Sequence, residues 1–270
     1  MRDPARSGTT ATPSTVPPTR PGRARWWAPI ALGGSFLTVL PVPRVEASPR
    51  ALAKAIALFP VVGAGLGAVL GAVGLAFDGV LPPGPVALLL LAASVVLTGG
   101  LHLDGLMDTA DGVFGGRTIE RRLEIMRDSR IGSFGVVAGA LVLIGQYACL
   151  AELIGTGRLA ALVVAFGLSR WVMAVALGVF PPARSTGLGA TFREAGGRGP
   201  LAVATLVAAG VALAAGALGI VAFVVAAAVA LLGGRFLAKH LDGLTGDTYG
   251  ALGAVAETLV LYVAVAFRSV

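Results

Sequence analysis

The chain has 270 residues, 56% of them hydrophobic and only 13% charged, with a formal net charge of +7 at pH 7 and a mean hydropathy of +0.86. Soluble domains carry about 25% charged residues, so the composition and its long apolar runs exclude an ordinary water-soluble fold and predict an all-α, polytopic membrane bundle. The positive charge does not point to nucleic acid, because the basic residues sit in loops between apolar runs, as orientation in a bilayer requires.

Residues 1–25 are rich in Pro, Thr, Ser and Arg and read as a disordered tail, ahead of a single membrane-embedded domain over 26–270. They lack the apolar core and cleavage site of a secretory signal. Trp26 and Trp27 open an apolar segment that ends at Leu40. Roughly 15 residues is short for a span and suits an interfacial or re-entrant helix anchored by tryptophan. Six or seven spans follow, over 55–77, 86–101, 133–154, 159–179, 201–234 and 251–267. The stretch 201–234 has no charge, yet as one helix at ~1.5 Å per residue it would be about 51 Å long against a core of ~30 Å. A tight hairpin near 216–219 is expected to divide it. Small residues recur every four positions, as at Gly63, Gly67 and Gly71, which lets helix backbones approach closely. The single cysteine, Cys149, lies in an apolar run and is expected to be a small core residue, with no disulfide framework or thiol metal site.

One polar stretch, 102–132, interrupts this pattern. It reads HLDGLMDTADGVFGGRTIERRLEIMRDSRIG and holds six of the 14 acidic residues, with five arginines among them. Asp104, Asp108 and Asp111 fall at i, i+4 and i+7, so on a helix they share one face. Like charges stacked in this way repel, and a divalent cation is the simplest offset; oxygen-only ligands suit Mg²⁺, held by a few carboxylates with substrate phosphate. Arg121, Arg127 and Arg130 suit phosphate oxygens, which a guanidinium binds bidentately. Glu124 and Asp128 either extend the metal site or orient those arginines. The alternative is a solvated, salt-bridged loop between two spans.

The remaining polar features fall into place around that stretch. With the N-terminus cytoplasmic, 18 of the 21 Lys and Arg residues lie on the cytoplasmic side, so the acidic stretch is expected to face the cytoplasm from a plasma-membrane protein. On the same side are a Gly-rich loop over 181–199 with Arg184 and Arg193, a candidate phosphate contact, and the loop 239–250. That second loop carries DGLTGDT, an echo of DGLMDT, with Asp242 and Asp247 as further candidate ligands. His240 there reads as an interfacial polar residue in preference to a metal ligand. Arg170 sits at bilayer depth, where a charge is expensive and is usually paired or functional; a carboxylate of the acidic stretch is its expected partner. Glu257 invites the same reading with less force.

Several of these segments together resemble a known family. FLTVLPVP (36–43), GGLHLDGLMDTADG (99–112), RRLEIMRDSRIGSFG (121–135), SRW (169–171) and GLTGDTYGA (243–251) occur in that order along one chain, and the set is similar to cobalamin synthase, the integral-membrane adenosylcobinamide-GDP ribazoletransferase. The resemblance runs from about residue 30 to the C-terminus. Two departures are the N-terminal extension and Val39, where a basic residue is expected before LPVP. The resemblance implies that adenosylcobinamide-GDP reacts with α-ribazole, or its 5′-phosphate, to give adenosylcobalamin (or its phosphate) and GMP with Mg²⁺. It implies Asp104, Asp108 and Asp111 as metal ligands, one of them acting instead as base toward the ribose hydroxyl. Arg130, Arg127 and Arg121 would bind phosphate, with Arg170, Arg184, Asp242 and Asp247 as further substrate-binding residues. The lipid bilayer and association with other cobalamin-assembly enzymes complete the expected partners. A CDP-alcohol phosphotransferase is the alternative, but its D-G-x-x-A-R pattern is broken here, where Asp104-Gly105-Leu106-Met107 runs into Asp108-Thr109. A secondary transporter would place its carboxylates near the bilayer midplane on a repeated unit, and these cluster in loops.

Overall fold

The computed structural model of the chain describes residues 27–43, 45, 48–154, 156, 158–183 and 197–267, and every regular element among them is a helix. The expected tail, Trp26, Arg184 and Arg193 lie outside the described residues. In order the helices are α1 (Ala28–Leu37), α2 (Pro49–Ala57), α3 (Phe59–Phe77), α4 (Pro83–Thr98), α5 (Leu101–Gly115), α6 (Ile119–Ile125), α7 (Ser133–Leu153), α8 (Ala161–Val179), α9 (Arg198–Ala214), α10 (Gly216–Leu241) and α11 (Gly246–Ala266).

Five of these, α3, α7, α8, α10 and α11, are long and apolar enough to cross a membrane, and α4 with α5 would make a sixth were the pair not bent by 85°. Six or seven spans were expected; the count is lower because α4 (16 residues) and α9 (17 residues) are short for a full span, and two of the apolar runs break. The run 55–77 divides at Leu58, because Pro60 has no N–H to give to the carbonyl of Ile56. Its first part, α2, is a separate amphipathic helix capped by Ser48, whose hydroxyl accepts from the Ala51 amide. The run 201–234 does turn back, at Ala215 with Gly216 in the left-handed region (φ 64°). Its second helix then continues to Leu241 through a π-helical turn at Val229–Gly233. At ten residues, α1 is too short to span, and the Val39 amide beyond it donates to the Leu97 carbonyl at the end of α4.

The core is built around α8, buried along almost its whole length between α3, α9, α10 and α11. Its approach to α3 depends on the small-residue stripe: a Cβ on Gly63 or Gly67 would collide with the carbonyls of Phe166 and Leu162. Cys149 is a free, buried core residue. The stretch 102–132 is mostly not a loop, since α5 and α6 occupy much of it.

Candidate active site

The turn from α4 into α5 runs through Gly99 and Gly100, both left-handed at φ 63° and 67°, a conformation glycine adopts without steric cost. It turns α5 by 85° from α4 and lays it along the first half of α7, where Gly139 meets Leu103 and Met107 and Gly132 meets Asp111. As the spacing predicts, one face of α5 holds the three aspartates, while Leu106, Ala110 and Val113 on the opposite face are buried. Along the acidic face exposure falls from Asp104, which is exposed, through the half-buried Asp108 to the buried Asp111.

A fourth carboxylate joins them from the end of the chain. Gly105 lies directly on the backbone of Asp247, where no side chain would fit. This contact brings the first turn of α11 against α5. Thr245 caps that turn, its hydroxyl accepting from the Thr248 amide while Thr248 reciprocates with the Thr245 amide. The electrostatic result falls on Asp108. Burial first, then the charges of Asp104, Asp247 and Asp111, push its carboxyl up to about 6.

Asp111 has a second attachment. One oxygen accepts from the Gly132 amide and the other from the Gly135 amide, both at 2.8 Å. The carboxylate therefore caps the N-terminus of α7, where the helix dipole favours negative charge. With an amide on each oxygen, Asp111 has less coordinating capacity free than Asp104 or Asp108.

On the far side of Asp111 opens a cleft of about 510 Å³, lined by Arg121, Glu124, Asp128, Arg130 and the first residues of α7. Its arginines are held by neighbouring acids. Arg121 pairs with Glu124 at 2.7 Å. Arg130 donates from Nε and Nη2 to Asp128, the shortest bond being 2.6 Å. Those bonds, side chain first and backbone second, hold the Asp128 carboxyl down near 2, so it stays ionised at neutral pH. Glu124 and Asp128 are thus each paired with an arginine of the cleft. Arg127 is exposed, with no ion pair among the described residues. Asp111 thus joins two neighbourhoods, one of carboxylates and one of arginines.

Arg170 differs from expectation. It is 1% exposed, and its partner is Glu257 on α11, not a carboxylate of the acidic stretch. Gln146 donates to Glu257 at 3.4 Å, and the Arg170 guanidinium also reaches Ser169 at 3.2 Å and His102 Nδ1 at 3.4 Å. The physical reason is depth: Arg170 and Glu257 lie midway along α8 and α11, where an unpaired charge is most costly. Asp242 is the left-handed C-cap of α10 (φ 56°) and is exposed. His240 Nδ1 lies 2.7 Å from the Phe236 carbonyl oxygen one turn back on the same helix. Two contributors were not foreseen. Gly105 sets the α5–α11 contact, and Arg122 braces α6 by donating to the Gly116 and His240 carbonyls, each at 3.0 Å.

Among the described residues, no three His, Cys, Asp or Glu side chains converge into a ready-made metal cage. The donors present are hard carboxylate oxygens, which fit Mg²⁺ bound through one or two carboxylates together with substrate phosphate and water.

A bundle of apolar helices with carboxylates and paired arginines gathered at the helix ends defines a membrane-embedded protein equipped to handle phosphate esters. The family model for cobalamin-5-phosphate synthase matches residues 29–265, and the chain belongs to that family. It is 42% identical to an adenosylcobinamide-GDP ribazoletransferase of Desulforamulus reducens, over 86% of this chain and 94% of the relative. Proteins of the same name from Roseiflexus sp. and Mesorhizobium japonicum are 45% and 44% identical, each over 87% of this chain and 90% and 92% of their own lengths. The CDP-alcohol phosphotransferase alternative is not favoured. No solved structure matches the chain.

The Arg170–Glu257 pair generates a stability prediction. Glu257→Leu alone should cost about 3–5 kcal/mol by leaving a buried guanidinium unpaired, whereas Arg170→Met with Glu257→Leu should recover most of it. Thermal unfolding of the purified variants in detergent measures both, and a double variant no better than the single would contradict the pairing.

Proposed function

We propose that this chain joins adenosylcobinamide-GDP to α-ribazole or its 5′-phosphate, releasing GMP and forming adenosylcobalamin or its 5′-phosphate. The observation that carries the reading is the meeting at Asp111 of a carboxylate cluster and an arginine-lined cleft, within a chain that matches the family over 29–265. A diphosphate ester needs both: charge neutralisation by guanidinium, and carboxylates to hold a cation.

In this reading Arg130 and Arg121 exchange their acidic partners for phosphate oxygens, with Arg127 adding a further cation. Asp104 and Asp108 are the carboxylates with most capacity to hold Mg²⁺, with Asp247 beside them and Asp111 fixing the frame. Bound there, Mg²⁺ would polarise the phosphoryl group and stabilise the leaving oxygen. A ribose hydroxyl of α-ribazole attacks the phosphorus that stays on cobinamide, and the bond from that phosphorus to the GMP oxygen breaks. The hydroxyl proton passes to a carboxylate of the cluster that the cation leaves free. Positioning and electrostatics supply most of the rate.

We also place the protein in the plasma membrane with this face toward the cytoplasm, since 18 of the 21 basic residues then lie inside.

The activity is tested by reconstituting the chain in vesicles with adenosylcobinamide-GDP and α-ribazole phosphate. Cobamide and GMP should appear in equal amounts and only with Mg²⁺, and Asp104→Asn and Asp108→Asn should lower the rate about 10²–10³-fold without lowering the unfolding midpoint. No product from correctly inserted wild type would overturn the reading. A proton competes with the cation for Asp108, so the Mg²⁺ concentration needed for half-maximal rate should rise as pH falls through about 6. At saturating Mg²⁺ that inflection should move lower. For orientation, a cysteine at Thr118 in a Cys149→Ala background should react with an impermeant maleimide only from the cytoplasmic side; labelling from the outer side would reverse the topology.

A further inference from the structure

On the side of α5 away from the aspartates lies a groove of about 470 Å³ between α5, α7, α10 and α11. Among the described residues, no charged side chain lines it. Leu106 and Val113 of α5, Leu232 and Phe236 of α10 and Val255 of α11 form its walls, with Phe114 at the rim. Phe114, Leu232 and Phe236 are all exposed, so the groove opens sideways. Three of its four helices are among those long and apolar enough to cross a membrane. An opening with apolar walls between such helices suits lipid hydrocarbon. The π-helical turn at Val229–Gly233 forms part of the α10 wall, a distortion that recurs where helices shape binding sites.

Two further observations specify the occupant. Thr109, 5% exposed, lines the α5 wall, and its buried Oγ1 has no hydrogen-bond partner among the described residues. A buried hydroxyl without an acceptor is costly, and the ester carbonyl of an acyl lipid is the acceptor that a membrane offers. The face of α10 that carries Leu232 and Phe236 also carries Arg235 and Lys239 at helical spacing. Both are exposed, and neither has an acidic partner among the described residues. We propose that this groove binds one anionic phospholipid, its acyl chain between α5, α10 and α11, an ester carbonyl at Thr109 and its headgroup phosphate on Arg235 and Lys239. The site is separate from the carboxylate face, although α5 forms a wall of both.

The test is native mass spectrometry of the full chain in detergent, delipidated and titrated with phosphatidylglycerol or with phosphatidylcholine of the same acyl chains. One phosphatidylglycerol should bind about 10–30-fold more tightly than phosphatidylcholine, and Arg235→Gln with Lys239→Gln should abolish that preference. Ala138→Phe, which fills the groove, should weaken both lipids. Thr109→Val, of nearly the same shape, should weaken them without disturbing the fold. Equal affinity of wild type for the two lipids would overturn the proposal. So would a preference that survives loss of both cations, or binding indifferent to both groove variants.

Discussion

Everything at this site follows from crowding like charges onto one face of a short helix in an otherwise apolar protein. Asp104, Asp108 and Asp111 repel along α5, and the Gly105 contact adds Asp247 to the group. The chain offsets part of this with its own backbone: two amides at the start of α7 take the Asp111 carboxylate. Among the described residues, nothing comparable is provided for Asp104 and Asp108. The residual repulsion is what a divalent cation would relieve, and it is concentrated beside arginines already oriented by Glu124 and Asp128.

The helices beneath supply the frame for that crowding. Arg170 and Glu257 are costly charges at mid-bundle, yet with Gln146, Ser169 and His102 they connect α5, α7, α8 and α11 through one polar cluster. His102 is two residues ahead of Asp104, so the cluster fixes where the acidic helix begins. Arg122 fixes α6 from the other side through the His240 carbonyl at the end of α10. The carboxylates and the arginines are therefore held by different anchors, and Asp111 is the residue common to both.

Much of this was legible in the sequence, for reasons that are physical. Apolar length predicted spans, the i, i+4, i+7 spacing predicted a shared aspartate face, and an uncharged run too long for one helix predicted the hairpin that turns at Ala215. The DGL echo placed Asp247 among the candidate ligands, and the structure brings it to Asp108. What was not legible depends on contacts between distant segments. The pairing of Arg170 with Glu257 requires knowing that α8 and α11 pack together at mid-depth. The Asp111 cap requires knowing that the loop after α6 returns to α5. Gly105 looks like any other glycine until a backbone is seen lying against it. The break at Leu58 was available from Pro60, but the apolar composition of 55–77 outweighed it.

The central claim is that Asp104 and Asp108 hold a divalent cation together with a substrate phosphate. Electron paramagnetic resonance of Mn²⁺ with the purified chain and adenosylcobinamide-GDP tests it without any need for turnover. The account predicts a bound Mn²⁺ signal that requires the diphosphate, is displaced by Mg²⁺, and is lost in Asp104→Asn and Asp108→Asn while persisting in Arg235→Gln. Tight Mn²⁺ binding that is unchanged in both aspartate variants would contradict it.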